Sequence, residues 1–398
     1  MPANLLYLGF AFPPGLHARH PDINPAGHPL ETQMVAELRS HFMVRSVASL
    51  PVEVSGAALD PNASAGVESD LHLLDRAPEL VHRRQAFNQL TTAYFEWRRK
   101  GWAPEALLVY NFSPVYNAFI RWLRKSPDHP KIILLLADSS SLGQPVSAWK
   151  RFRYLFKPMA WFDDAMLPMT DAIIGLSCQT KTIAESLGLP FLWVPGGCQP
   201  GRARPVSTAT PDGAPIRFGY FGALAPHAGI VPLARLLAQP GLDATLEIYG
   251  YGSQSGELAE LAKRNPRIRF HGFVPGGDPC LDAAAECDVL VNPRPATHGN
   301  ENNFPSKLFE YALAGRCILT AGMSGVDGVL GPEAFYFNAG DFEASLLDRL
   351  RLVARTPRGE LARRAGAIQA RVTSEFSWRR QGARMAAFIE KSGTTVKY

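Results

Sequence analysis

The sequence predicts an α/β protein built as two doubly wound, Rossmann-like domains facing across a cleft. Three observations carry that expectation. Short continuous apolar runs such as KIILLL and DVLVN alternate with segments of helical periodicity, the pattern of a parallel sheet buried on both faces. The alternation occurs twice. Between the two rounds lies a stretch rich in Pro, Ser, Thr and Gly, residues 199–213, with no apolar periodicity.

In chain order, NLLYLGFAF is a strand, and a Pro-, Gly- and His-rich loop follows, holding Gly15 and His28. A helix with Met34, Val35 and Leu38 at helical spacing leads to the strand MVRSVASL. Residues 51–70 are small and polar and read as an excursion. Glu79 to Lys100 is helical, EALLVY a strand, SPVYNAFIRWL a helix, and KIILLLAD a strand ending at Asp138. A long helix runs to about Met169. The strand DAIIGLS, the helix CQTKTIAESLG and the strand PFLWVPGG close the first domain, 1–198. The second, 214–375, runs IRFGYFG (strand), AGIVPLARLLAQ (helix), ATLEIYG (strand), GELAELAKR (helix), RIRFHGF (strand), CLDAAAEC (helix) and DVLVNP (strand). Next come a loop, helix and strand over Asn300–Leu319, a short strand AFYF and three helices. The last, 376–391, is expected to pack back on the first domain.

Composition bounds the function. The chain has 398 residues, 46% hydrophobic and 19% charged, which fits a globular two-domain protein. A net charge of +5, without a recognisable reading module, gives no reason to expect nucleic acid. No apolar run reaches membrane-spanning length, and the N-terminus lacks a signal-peptide pattern. The five cysteines are scattered without metal-knuckle spacing, as expected of free thiols in the cytoplasm. There is no Asp-x-Asp; Asp163 and Asp164 are adjacent and lack metal-site spacing. No metal and no cofactor are expected.

The chemistry concentrates after the strand DVLVNP. In NNFPSKLFEYALAG, Pro305 suits a first helical position, Ser306 and Lys307 fall in the first turn, and Glu310 one turn on. A helix start with a lysine could meet a diphosphate, and a carboxylate could hold ribose hydroxyls. A plain amphipathic helix with a solvent lysine is the competing reading. Gly250-Tyr251-Gly252 follows a strand and precedes a helix. It is off-pattern for a dinucleotide fingerprint, because no acid follows on the next strand, and better suits a turn that lets a ligand approach backbone.

The segments GYFGALAPHAGIVPL, LEIYGYG, IRFHGFVP, AAAECDVLVNPRP and NNFPSKLFEYALAGRCIL, in that order, resemble the donor-binding half of GT-B glycosyltransferases, specifically glycosyltransferase family 4. The resemblance is strong over 216–319 and weak before Asp171. It implies a GT-B fold and retaining, metal-independent transfer from a UDP- or GDP-sugar. The implied acceptor is a glycan or lipid-linked sugar of a bacterial surface polysaccharide. The family's signature is a pair of glutamates with seven residues between them. The second maps onto Glu310 and the first onto Asn302, with Glu301 adjacent. The family's usual Arg and Lys after the first donor-domain strand map onto Ala223 and Ala228, so their role is expected to pass to Lys307 and Arg294, with His227. Gly222, Asn303, Phe304, Pro305 and Ser306 are expected around the donor, and backbone at Phe273 and Val274 near the base. On the acceptor side the expectations are Asp138, as base or hydroxyl binder, with Gly15 and His28. Asp138 as a loop cap is the plainer alternative.

From Arg76 to Lys157 there are fourteen Lys/Arg against five Asp/Glu, densest in WKRFRYLFKPMAW, residues 149–161. Such mixing suits an anionic membrane surface, or a core-packed aromatic face with a basic edge. Two rivals to a transferase remain: a pseudo-enzyme, suggested by Ala223, Ala228 and Asn302, and a sugar-nucleotide epimerase.

Overall fold

The structure, a computed structural model, describes residues 2–11, 27–49, 71–74, 79–137, 166–323 and 325–392. These residues divide into two compact units, 1–195 with 378–398, and 196–377.

The first unit is organised on a seven-stranded parallel sheet: β1 (Asn4–Gly9), β2 (Met43–Ser49), β3 (Leu71–Leu74), β4 (Ala106–Tyr110), β5 (Lys131–Leu136), β6 (Ala172–Gly175) and β7 (Phe191–Trp193), in the order β3-β2-β1-β4-β5-β6-β7. Successive side chains point to opposite faces, and both faces are covered. Leu5 and Tyr7 join one core with Met34, Leu38, Met385 and Ile389, contributed by the helices Gly27–Leu38 and Trp378–Lys391. Leu6 and Leu8 join the other with Leu90, Trp97, Phe119 and Leu123 of the helices Glu79–Arg99 and Pro114–Leu123. Ser113 starts the latter helix, accepting from the Val115 N–H, with Pro114 in its first turn. The last helix therefore belongs to the first unit although the whole second unit precedes it in the chain.

The second unit carries β8 (Ile216–Phe221), β9 (Ala244–Tyr249), β10 (Ile268–Gly272), β11 (Val289–Asn292), β12 (Cys317–Ala321) and β13 (Phe335–Phe337). They form a six-stranded parallel sheet in the order β10-β9-β8-β11-β12-β13. The order reverses between β8 and β11, the switch point at which open α/β sheets bind ligands beyond their strands' carboxyl ends.

Residues 199–213, expected as a linker, lie along the second unit. Asp288, 1% exposed, accepts from the Ala209 and Thr210 N–H groups and from the Thr210 hydroxyl. Arg358 donates to Thr210 and Ala214, and Arg316 to the Pro205 carbonyl. The composition of a loop is there, and side chains distant in sequence satisfy part of its backbone. Among the described strands and α-helices, β3 and the helices His298–Glu301 and Val326–Leu330 were not expected from the sequence.

Candidate functional site

The site is built at the carboxyl ends of β8 and β11. Beyond β8 the chain turns at Gly222, whose φ of 141° lies in the region that favours glycine. A Cβ there would lie 3.0 Å from Lys307 Nζ. Beyond β9, Gly250 has φ of 148°, and its Cβ would lie 1.9 Å from the Gly222 carbonyl oxygen. At Gly252 a Cβ would lie 2.4 Å from the Leu224 carbonyl oxygen. These two glycines therefore let one loop close on the next. Gly222, Leu224 and Gln254 donate their N–H groups to the carbonyls of Tyr249, Tyr251 and Leu224 in support.

The helix Lys307–Leu313 follows β11 and carries both charged residues of interest. It is seven residues long, Ser306 caps it without a side-chain hydrogen bond, and the Leu308 and Phe309 N–H groups already bond to Pro305 and Ser306. Anion recognition therefore falls on side chains more than on free helix-start amides. Tyr311 anchors this helix: its hydroxyl accepts from the Phe221 N–H at 3.0 Å and lies 3.2 Å from the Phe221 carbonyl.

Lys307 places its ammonium 4.2 Å from the centre of the buried Tyr220 ring. Among the described residues it has no hydrogen bond and no ion pair. Burial drives its pKa well below the ordinary lysine value, and Arg294 pushes the same way against Glu310. Arg294 has a buried Nε without a hydrogen-bond partner among the described residues, and burial lowers its pKa. Glu310, one turn along from Lys307, also lacks a partner among the described residues; burial raises its pKa against the pull of Arg202 and Lys307. Cys280 beside them is pushed up to about 12, mainly by burial. Two cations and a carboxylate are thus held half-buried and unpaired in one place. That is unfavourable for folding alone and fits a polar ligand that completes them.

His227 is exposed as a residue, but partial desolvation of its ring, then Arg294 and Lys307, lowers its pKa. Its loop is tied to the loop of Arg294 by Asn300, 4% exposed, whose amide donates to the His227 carbonyl at 2.8 Å and the Pro295 carbonyl at 2.9 Å. Asn300, Tyr220 and Tyr311 carry no signal in the sequence, nor does Arg202, whose buried Nη2 has no partner among the described residues although its Nε donates to Asp278 at 3.3 Å. Nothing in the sequence marked them, since each acts on a partner distant along the chain.

The expected residues are only partly gathered. Gly222, Arg294, Lys307 and Glu310 meet at the site, with His227 at its edge. Ala223 is exposed beside them, its carbonyl accepting from the Tyr220 hydroxyl. Ala228 is buried in the apolar core, so position 228 points away from any diphosphate here. Phe304 is 4% exposed and packs on Phe309, so its ring serves the core; Pro305 is buried and Ser306 exposed. Glu301 is exposed, Asn302 ends the short helix His298–Glu301, and Asn303 donates its N–H to the Asn300 carbonyl. Phe273, 63% exposed and followed by Val274, meets Tyr251 edge-on at 5.6 Å beyond β9 and β10. Gly15, Asp138, the His28 side chain and the stretch 149–161 lie outside the described residues. Among the described residues no cluster of three or more His, Cys, Asp or Glu could hold a metal ion.

Residues 231–387 match the family described as glycosyl transferase-like. No curated protein matches the chain. Among solved structures, the chain is similar to HepE (Alr3699) of Anabaena in complex with UDP, with a TM-score of 0.65 at 15% identity, covering 98% of this chain and 100% of that one. It is similar to the lipopolysaccharide outer core galactosyltransferase WaaB in its apo form, with a TM-score of 0.62 at 14% identity over 97% and 99%. Sucrose-phosphate synthase of Thermosynechococcus elongatus gives a TM-score of 0.65 at 14% identity over 98% of each chain. At these identities the likeness is one of fold, and the fold is GT-B.

Proposed function

We propose that this chain is a retaining glycosyltransferase that moves a sugar from a UDP- or GDP-sugar to a glycan or lipid-linked acceptor. One observation carries the reading. At the switch point of a GT-B sheet, Arg294, Lys307 and Glu310 are held together without partners among the described residues. The solved relatives that bind UDP and UDP-glucose share the fold and support a nucleotide-sugar donor here. Such donors are cytoplasmic metabolites, so the cytoplasmic face of a membrane is the proposed place of action.

In this reading the diphosphate lies between Lys307 and Arg294, with Gly222 leaving room beside the ammonium. Placing an anion there gives the Lys307 ammonium the partner it lacks and satisfies the Arg294 Nε–H. Glu310 accepts hydrogen bonds from the ribose hydroxyls, and the exposed Tyr251–Phe273 pair stands toward the base. As the bond from the anomeric carbon to the leaving phosphate oxygen breaks, the acceptor oxygen bonds to the same face. The acceptor proton passes to the departing phosphate. Lys307 and Arg294 stabilise the charge that develops on that phosphate, and so act on the transition state more than on the bound donor.

The test is nucleotide release from a panel of UDP- and GDP-sugars, with and without glycan acceptors. Release of one nucleotide, stimulated by acceptor and abolished in Lys307→Ala, is expected. Absence of both release and donor binding would sink the reading in favour of a pseudo-enzyme, and a converted sugar formed without acceptor would favour an epimerase.

A further inference from the structure

A second feature lies far from this chemistry in the sequence, on the helix Glu79–Arg99 of the first unit. At about 100° per residue, Arg84, Phe95, Arg98 and Arg99 all project within roughly 60° of one direction. No acidic residue shares that sector; Glu96 projects about 100° away. The stripe is about 22 Å long, from 1.5 Å of rise per residue. Phe95 is 54% exposed, the most exposed large apolar side chain of the first unit among the described residues. It is not a loose side chain, because its ring meets Trp122 at 5.5 Å. Trp122 is itself clasped by Tyr94 at 5.6 Å and stacked on Phe119 at 5.6 Å. Lys125 follows one turn after Trp122 and is exposed.

The cations are uncommitted. Among the described residues none of Arg84, Arg98, Arg99 and Lys125 is in an ion pair; Arg98 meets Tyr94, donating to its hydroxyl at 3.4 Å with its guanidinium 5.9 Å from the ring centre. The fold does not need them for neutralisation, and Phe95 is left exposed on the half-buried Trp122, which already packs on the core beneath it. Rigid aromatics at the tip with unpaired cations around them suit the interface of a bilayer, where rings sit at headgroup depth and cations meet anionic lipid. No helix of the described residues is long and apolar enough to cross a membrane, so any association by this face is peripheral.

We propose that the Phe95–Trp122 face is a docking surface for an anionic lipid bilayer. It goes beyond the transferase reading and can fail separately from it, because lipid binding is measured without any donor.

The full chain is sedimented with vesicles of phosphatidylcholine alone or with about a third phosphatidylglycerol. Sedimentation with the anionic vesicles only, weakened by raised salt, is expected. Each basic residue near an anionic leaflet changes partitioning about fivefold. Arg98→Glu with Arg99→Glu should therefore reduce binding by well over twenty-fold, and Phe95→Ser should reduce it at unchanged charge. Circular dichroism melts confirm folding, and Lys263→Glu on the second unit's surface should bind as the parent does. Failure of the parent chain to sediment with anionic vesicles would overturn the proposal and leave an acidic protein as the partner to seek. Equal binding to neutral vesicles would overturn it too. So would loss of binding in Lys150→Glu with Arg151→Glu while Phe95→Ser and the Arg98/Arg99 variant bind normally.

Discussion

Replacing Lys307 with Met tests the proposed site through two opposite effects. In the ligand-free protein this lysine is an unpaired cation over the Tyr220 ring, crowded by Arg294. A buried polar group without a partner costs about 1–3 kcal/mol, and the contact with the ring returns about 1 kcal/mol of that. Methionine fills much the same volume and has no charge to desolvate. The variant should gain about 1 kcal/mol, or about 2–4 °C in Tm for a unit of 182 residues (377 − 196 + 1). The pH dependence has a definite sign. The folded-state pKa lies below the unfolded one, so folding releases a proton and parent stability rises with pH up to the ordinary lysine range. The advantage of Met is therefore largest at neutral and acidic pH and vanishes near pH 10. Transfer should fall by about 10²–10³ in kcat, the usual loss of one transition-state donor. UDP or GDP, which at a hundred times Kd stabilises a binding protein by about 2.7 kcal/mol, should protect the variant far less than the parent. Differential scanning fluorimetry with and without nucleotide, over a pH series, reads all of this. A variant that melts lower than the parent, or that keeps parental turnover, would refute the reasoning.

Three further outcomes follow from the same geometry. Glu310→Gln should raise KM for the donor at least tenfold; because burial raises this carboxyl, the parent loses stability as pH climbs past the carboxylate range, so Gln should melt higher at pH 7 and equally at pH 4. Asn300→Ala frees the His227 and Pro295 carbonyls and should cost about 2 kcal/mol in urea denaturation, with a drop of about tenfold in kcat/KM as the two loops lose their tie. Gly250→Ala forces a Cβ to within 1.9 Å of the Gly222 carbonyl oxygen and should cost about 3 kcal/mol or more, seen as a fall in Tm of roughly 6–12 °C.

The parallel strands were legible because a strand buried on both faces is written as a continuous apolar run: ATLEIY, VLVN and CILTA lie where the pattern puts them. The strand LHLL was not, being four residues after a long polar stretch, too short to show a period. The helix HGNE has no apolar face at all; it exists because Thr297 accepts from the Asn300 N–H. Residues 199–213 had the composition of a linker, and only their contacts with Asp288, Arg316 and Arg358 reveal a strap.

By itself the sequence determined that two rounds of strand and helix would form, and that Arg294, Lys307 and Glu310 would follow a buried strand. Those are local facts, set by periodicity and by the chemistry of single residues. Only the tertiary structure decided that these three charges meet with no partner among them, that Gly222 stands beside the ammonium, and that position 228 belongs to the core. The sheet reverses its order between β8 and β11, bringing together strand ends some 70 residues apart in the chain. Burial, which shifts Lys307 down and Glu310 up, is a property of that packing and of no single segment.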